Sequence, residues 1–126
     1  MINKNKKKYD IHERIFRFII RVINLTKQLP KNQQNLVIIS QILDSVTSMG
    51  ANDQEADGAL TRRDFIHCYT VVRKEGKETN FWLRLIQAIN PGFASRMVDL
   101  IKEGEEIVAI VSQIIANARK KSLKKK

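Results

Sequence analysis

The sequence has one cysteine and two histidines among its 126 residues, which leaves few groups for metal or redox chemistry. Cys68 has no second thiol in the chain with which to form a disulfide, and a Cys-rich metal site is excluded for the same reason. His12 and His67 are far apart, and adjacent residues such as His67 and Cys68 diverge by about 100° on a helix. We therefore expect no metal and no cofactor, and a lone cysteine favours a cytoplasmic location.

Long apolar stretches are absent as well. The longest uninterrupted run covers residues 107–111, whereas a membrane-spanning helix needs about 20 apolar residues. Charged residues from Asp10 onward leave no room for the hydrophobic core of a signal peptide, so we expect no membrane partner. The sequence also lacks a Gly-rich phosphate loop and a nucleophile elbow, so we expect the protein not to be an enzyme.

Proline occurs only at Pro30 and Pro91, and both lie between segments with helical periodicity. The pattern predicts a first helix over residues 10–29 with Asp10 as its N-cap, and a second that begins near Asn32. The second helix continues through Gly50 because the periodicity does. A third begins at Thr61 and ends at residues 90–92, and a fourth covers about residues 93–120.

Two helices carry apolar residues at alternating steps of three and four, which predicts the faces that they bury. In the second helix this seam is Leu36, Ile39, Leu43, Val46 and Gly50. In the third it is Phe65, Tyr69, Val72, Gly76, Thr79, Leu83 and Ile86. The second, third and fourth helices are each about 28 residues long, and short loops join them. Matched lengths and short loops predict an all-α fold, an antiparallel up-down-up-down four-helix bundle.

The positive charge is confined to the two ends of the chain. The net charge is +10, from 23 basic and 13 acidic residues, and residues 10–118 hold 13 of each sign. We therefore divide the chain into a basic N-terminal tail (1–9), the bundle (10–118) and a basic C-terminal tail (119–126). The ten tail cations are Lys4, Lys6, Lys7, Lys8, Arg119, Lys120, Lys121, Lys124, Lys125 and Lys126.

Such tails are typical of a protein that binds a polyanion. In the predicted topology both tails and the turn between the second and third helices share one end, so Arg62 and Arg63 join the candidate nucleic-acid-binding set. Four acidic residues are close by and partly offset this charge: Asp53, Glu55, Asp57 and Asp64. A/T-rich codons are a competing explanation for the lysines, because the chain also has 17 Ile and 9 Asn.

Several polar residues in the middle of the chain need partners if they are buried. Glu75 and Glu78 lie on an otherwise apolar stripe of the third helix. Their predicted partners are Arg73, the arginines of the first helix or another subunit, in an ion-pair network that fixes helix register. Asn52 lies among small residues and is predicted to bridge two helices. Off-stripe apolar residues, such as Phe16 and Ile20, favour self-association.

A set of short motifs occurs in order between about residues 45 and 85. They are Ser48-Met49-Gly50-Ala51-Asn52, Glu55-Ala56, Asp64-Phe65, Arg73-Lys74-Glu75, Lys77-Glu78-Thr79 and Phe81-Trp82-Leu83. This series resembles the four-helix-bundle proteins of bacterial 23S ribosomal RNA intervening sequences. Asp53, where an aromatic residue is common, and Gly76, where alanine is usual, depart from the pattern. Gly76 is expected to permit a closer helix crossing.

The resemblance implies a bundle that assembles as a homopentameric ring and a suspected role in binding RNA. The family is also similar to the accessory proteins of diversity-generating retroelements, which implies a nucleic-acid-processing protein as a further partner. No catalytic residues carry over. Two functions stay open: a non-enzymatic RNA-binding protein that acts through its basic tails, and an interaction scaffold with no direct nucleic-acid role.

Overall fold

A computed structural model describes the backbone of residues 10–124 and the side chains of residues 10–121. Within this part of the chain all regular structure is helical. Four α-helices follow one another: α1 (Ile11–Gln28), α2 (Gln33–Asp57), α3 (Arg62–Ile89) and α4 (Val98–Lys124). The predicted all-α fold with four helices is confirmed. None of the described helices is long and apolar enough to cross a membrane.

Side-chain caps explain where the first three helices begin. Asp10 accepts a hydrogen bond from the backbone N–H of Glu13 at 2.9 Å, and Asn32 accepts one from Asn35 at 2.8 Å. Thr61 accepts the corresponding bond from Asp64 at 3.0 Å. Each bond satisfies an N–H that has no partner inside its helix, which fixes the first turn. The predicted caps at Asp10 and Thr61 are confirmed.

The fourth helix begins five residues later than predicted. Short 3₁₀ turns cover Pro91–Phe93 and Ser95–Met97 before α4 starts at Val98. Pro91 has no backbone N–H and a fixed φ, so the chain makes tight turns before a continuous helix. Gln87 supports this segment by donating from its Nε2 to the carbonyl oxygen of Ala94 at 3.0 Å.

Polar contacts between the helices show that sequential neighbours run antiparallel. His12 near the start of α1 binds Asp53 near the end of α2. Ser45 and Thr79 share a buried hydrogen bond of 2.7 Å in the middle of α2 and α3. At the other end of that pair, the buried carboxamide of Asn35 exchanges hydrogen bonds of 2.9 and 3.0 Å with Asn90. These pairs set the register of α2 on α3.

The fourth helix packs on both α3 and α1 and completes the arrangement. Arg14 of α1 donates to Glu103 of α4 from Nε at 3.0 Å and from Nη2 at 2.7 Å, and also binds Glu106. Gly76 of α3 faces Val108 of α4, where an added Cβ would lie 2.9 Å from Cγ2 of Val108. The expected close crossing at Gly76 is therefore present. The contacts are those of the predicted antiparallel bundle.

The core confirms the predicted seam of α3 and corrects that of α2. On α3, six of the seven seam residues are buried, and Phe65 is half-buried. On α2 the buried face lies one residue earlier than predicted, and Leu36 is 50 % exposed. The residues buried on α2 are Asn35, Ile38, Ile42, Ser45, Val46, Met49, Asp53 and Ala56. Hydropathy missed this face because it contains three polar residues.

Those three polar residues are buried because each has a partner in α3 or in Asn90, the residue that follows it. Asn35 binds Asn90, Ser45 binds Thr79, and Asp53 accepts a hydrogen bond from the hydroxyl of Tyr69. A buried polar group with a partner costs little, whereas an unpaired one is strongly destabilising. The side of α2 that looked more apolar in the sequence is instead partly exposed to solvent.

Candidate nucleic-acid interface

One end of the bundle collects the start of α1, the α2–α3 turn and the last turns of α4. The His12–Asp53 contact places the start of α1 beside the last turns of α2. The α2–α3 turn consists of Gly58 to Thr61, and Arg62 of this region lines the same cleft as Lys121 of α4. The topology therefore brings the start of α1, Arg62 and the last turns of α4 to a common end.

The predicted C-terminal tail is helical as far as it is described. The helix α4 includes residues 119–124, so the basic residues of this segment continue the helix and do not form a separate extended tail. Arg119, Lys120 and Lys121 are exposed on this extension. Lys124 ends α4, and its side chain is outside the described set. The predicted residues Lys4, Lys6, Lys7, Lys8, Lys125 and Lys126 lie outside the described residues.

The described cations at this end have no acidic partners. Arg63 is exposed and Arg62 is half-buried. No carboxylate of the described residues lies within 4.0 Å of the charged nitrogens of Arg62, Arg63, Arg119, Lys120 or Lys121. By contrast, Arg14 on the side of the bundle is held by two glutamates. The five cations at the end are therefore free to neutralise an external anion.

An open cleft lies between the α2–α3 turn and α4, and we call it the end cleft. It contains both cations and apolar side chains, and no acidic residue lines it within the described part of the chain. The lining residues are Ala59, Leu60, Thr61, Arg62, Phe65, Ile114, Asn117, Ala118 and Lys121. The sequence did not single out this cleft, because it forms only when the turn and α4 meet.

A buried carboxylate, whose burial and partners were not predicted from the sequence, supports this end from inside. Asp53 is 2 % exposed and accepts hydrogen bonds from His12 Nδ1, at 2.9 and 3.0 Å, and from the Tyr69 hydroxyl at 2.7 Å. The hydrogen bond to Asp53 raises the pKa of His12, and nearby Asp57 and Asp10 add to the effect. Burial and then Asp53 raise the pKa of Tyr69, which stays protonated. One carboxylate thus ties α1, α2 and α3 together.

The predicted polar network around Glu75 is not formed among the residues that the structure describes. Glu75 and Glu78 make no ion pair with a described residue, and the predicted partner Arg14 binds Glu103 and Glu106 instead. Glu78 accepts a hydrogen bond from the indole nitrogen of Trp82 at 3.3 Å. Burial and then the neighbouring Glu78 raise the pKa of Glu75.

Arg73, a predicted partner in that network, and Asn52, a predicted bridge between helices, also differ from the prediction. Arg73 is half-buried and forms no ion pair with a described carboxylate. Asn52 does not bridge two helices: its amide donates to the carbonyl oxygen of Ser48 at 3.0 Å and to the Ser48 hydroxyl at 3.4 Å, both in α2. A residue four positions earlier is the nearest acceptor on a helix, so the local bond is formed instead.

The family model described as 23S rRNA-intervening sequence protein matches residues 7–113, which include α1 to α3 and more than half of α4. The chain belongs to this family. No curated protein is significantly similar to it in sequence.

The solved structure of a similar protein agrees with this family assignment. It is a protein of unknown function from the S23 ribosomal protein family of Bacteroides thetaiotaomicron, and it is 33 % identical with a TM-score of 0.76. The match covers 84 % of this chain and 95 % of that one. The predicted resemblance to the proteins of 23S rRNA intervening sequences is therefore confirmed.

The family match also separates the body of the molecule from its basic ends. It stops at residue 113, before Arg119, and begins at residue 7, after Lys4 and Lys6. Most of the ten tail cations are thus outside the part that defines membership of the 23S rRNA-intervening sequence family. Arg62 and Arg63 are inside it, and they lie at the same end.

Proposed function

We propose that this protein is a non-enzymatic RNA-binding protein whose basic end contacts phosphates, with RNA of the 23S rRNA intervening sequence as the expected ligand. The observation that carries the proposal is the set of five cations without acidic partners among the described residues at this end of the bundle, two of which, Arg62 and Lys121, line the end cleft. Family membership supports the choice of RNA, because the family is described by its association with the rRNA intervening sequence. A cytoplasmic location, where that RNA would be found, is part of the proposal.

The expected mode of binding is electrostatic. Lysine and arginine side chains that neutralise phosphates release condensed counterions, so the affinity falls as salt is added. Phosphate contacts position a protein on a nucleic acid but carry no sequence information. We therefore expect little sequence selectivity from the five cations alone.

Assembly would multiply this effect. We propose a homopentameric ring, in which 5 × 10 tail cations act together and weak contacts gain avidity. Phe16 is 60 % exposed and Ile20 is 43 % exposed one turn apart on α1, which supports an apolar contact with another copy. Glu75 and Glu78, which have no cationic partner among the described residues, are candidates for ion pairs across the same assembly.

The test is a charge-removal variant with a matched control. The variant carries Arg62→Gln, Arg63→Gln, Lys120→Gln and Lys121→Gln, and the control carries Arg21→Gln, Lys77→Gln, Arg84→Gln and Lys102→Gln. Both variants are made in the full-length chain, and each loses four cations that are exposed or half-buried. For a single-stranded RNA probe, we expect the slope of log affinity against log salt to fall by about 0.7 per lost phosphate contact in the first variant only.

Equal losses in the two variants would mean that net charge, and not this end of the bundle, controls binding. Deletion of residues 1–8 and 119–126 measures the share of the tails, and we expect it to remove most of the binding. Full binding by the truncated protein would refute the tail mechanism.

The alternative function, an interaction scaffold, is favoured by one observation. Several large apolar side chains are exposed on the described helices, among them Val37 at 60 % and Phe81 at 54 %. Exposed apolar groups of this kind are typical of protein contacts. Copurification from native cells with and without nuclease distinguishes the two functions: a partner that is retained after nuclease treatment, without bound RNA, favours the scaffold.

A further inference from the structure

We propose that the end cleft binds an unpaired nucleotide, so that the protein prefers single-stranded RNA to duplex RNA. This inference rests on the proposed RNA-binding function and adds the class of RNA. It is carried by the chemistry of the cleft, which places cations, polar groups and exposed apolar surface in one concave site.

The cations supply the phosphate contact. Arg62 and Lys121 come from α3 and α4, and both line the cleft. The guanidinium of arginine can bind a phosphate through two hydrogen bonds, and the lysine ammonium adds a compact positive charge. With no acidic side chain among the described lining residues, the site favours an anion.

The apolar lining supplies a surface for a base. Leu60 in the α2–α3 turn is 95 % exposed, more than any other large apolar residue that the structure describes. Phe65 is half-buried and stacks on Tyr69, with ring centroids 4.9 Å apart, so its position is fixed by the core. The faces of unpaired bases stack on aromatic and apolar groups, which a duplex does not offer because its bases are already stacked.

Two polar groups remain available beside this surface. The Thr61 hydroxyl oxygen accepts the N-cap bond from Asp64, and its O–H is still able to donate. Asn117 accepts a hydrogen bond from Gln113 at 2.9 Å through Oδ1, which leaves its amide N–H groups free to donate. Both residues line the cleft and can contact base edges or the ribose.

A protein segment is the competing occupant, because an exposed leucine also suits a protein contact. Charge decides in favour of a nucleotide, since a site with two unpartnered cations and no carboxylate is better matched by a phosphate. The experiment therefore measures RNA binding and molecular mass on the same variants.

The test uses the full chain and Leu60→Ala, with Leu36→Ala as the control. Both leucines are exposed, at 95 % and 50 %, so neither substitution should affect folding strongly. Leu36 lies in the first turns of α2, at the end of the bundle away from the cleft. Fluorescence anisotropy at one fixed salt concentration compares a 12-nucleotide single-stranded RNA with a 12-base-pair RNA duplex.

We expect the unchanged protein and Leu36→Ala to bind the single strand more tightly than the duplex. Leu60→Ala should lose roughly fivefold in affinity for the single strand and keep its affinity for the duplex, because stacking serves only unpaired bases. If Leu60→Ala leaves both affinities unchanged, or weakens both equally, the cleft does not select unpaired nucleotides. If it changes the molecular mass and not the RNA affinity, the cleft is a protein contact.

The outcomes for Leu60→Ala can be told apart from those of the charge-removal test. Loss of RNA binding in the Arg62, Arg63, Lys120 and Lys121 variant together with an unaffected Leu60→Ala variant would keep the proposed function and remove this inference. An unaffected charge-removal variant would remove both.

Discussion

At the residue scale, Asp53 joins three helices through a single buried carboxylate. It accepts hydrogen bonds from His12 of α1 and Tyr69 of α3 while belonging to α2. The sequence placed Asp53 at a family position where an aromatic residue is common, but it did not name the partners. They could not be found from the sequence, because His12 is 41 positions away and its contact depends on the register of two helices.

This cluster predicts how stability changes with pH. Hydrogen bonding to Asp53 raises the pKa of His12 above its usual value of 6.5, and the charges of Asp57 and Asp10 raise it further. Tyr69, the other partner of Asp53, stays protonated and carries no charge. A raised pKa means that folding favours the charged imidazole. The contribution of His12 to the free energy of unfolding is therefore fully present below pH 6.5, and it is lost as the pH rises through the raised pKa of His12 in the folded protein.

We expect His12→Asn to reduce the free energy of unfolding more at pH 6 than at pH 9, as measured by urea denaturation. His67→Asn is the matched control, since His67 is exposed on α3 and makes no hydrogen bond or ion pair with a described residue. A His12→Asn effect that is the same at both pH values would show that the imidazole acts by packing and not by charge.

At the scale of helices, the sequence predicted which segments are helical better than which faces are buried. Pro30, Pro91 and the caps at Asp10 and Thr61 are local signals, so the limits of α1 and α3 could be read directly. The buried face of α2 depends on partners in α3, and the polar residues Ser45 and Asp53 hid it from a hydropathy pattern. The late start of α4 likewise depends on the turns after Pro91.

Glycine sets how closely the helices approach, and Gly104 of α4 gives the clearest prediction. A Cβ at this position would lie 2.9 Å from Cζ of buried Phe18 and would overlap the carboxamide of Asn80. Because α1 and α3 both pack against α4 at Gly104, the side chains of Phe18 and Asn80 have little room to move. We expect Gly104→Ala to lower the free energy of unfolding by about 1–3 kcal/mol, despite the better helix propensity of alanine.

Gly92→Ala is the control, because a Cβ there would meet nothing within 4 Å. Chemical denaturation of the two variants should therefore separate overpacking from the general effect of replacing glycine. A Gly104→Ala protein as stable as the original would show that α4 can shift away from α1 and α3 at little cost.

At the scale of the whole molecule, the basic end could be predicted from the sequence only in outline. The count of charges and the antiparallel topology placed Arg62, Arg63 and residues 119–121 at one end, and the described residues agree with this. The end cleft could not be predicted, since it needs the α2–α3 turn to meet α4. The ion pairs expected for Glu75 and Glu78 are absent from the described chain, which leaves another subunit as their predicted partner.

Assembly therefore gives the last prediction. If five copies of 14.6 kDa form a ring, sedimentation should give a mass of about 73 kDa. Phe16→Ser with Ile20→Ser should shift this mass toward 14.6 kDa, because both side chains are exposed on one face of α1 and contribute little to their own core. Leu60→Ala is the control: it also removes an exposed apolar side chain, but at the end cleft, and should leave the mass unchanged.

The dissociated variant should also bind RNA at least tenfold more weakly, as its cations no longer act together. An original protein at 14.6 kDa would exclude the ring, whereas a variant that stays at 73 kDa would place the contact elsewhere than on α1. Weaker RNA binding without a change in mass would mean that Phe16 and Ile20 contact the RNA themselves.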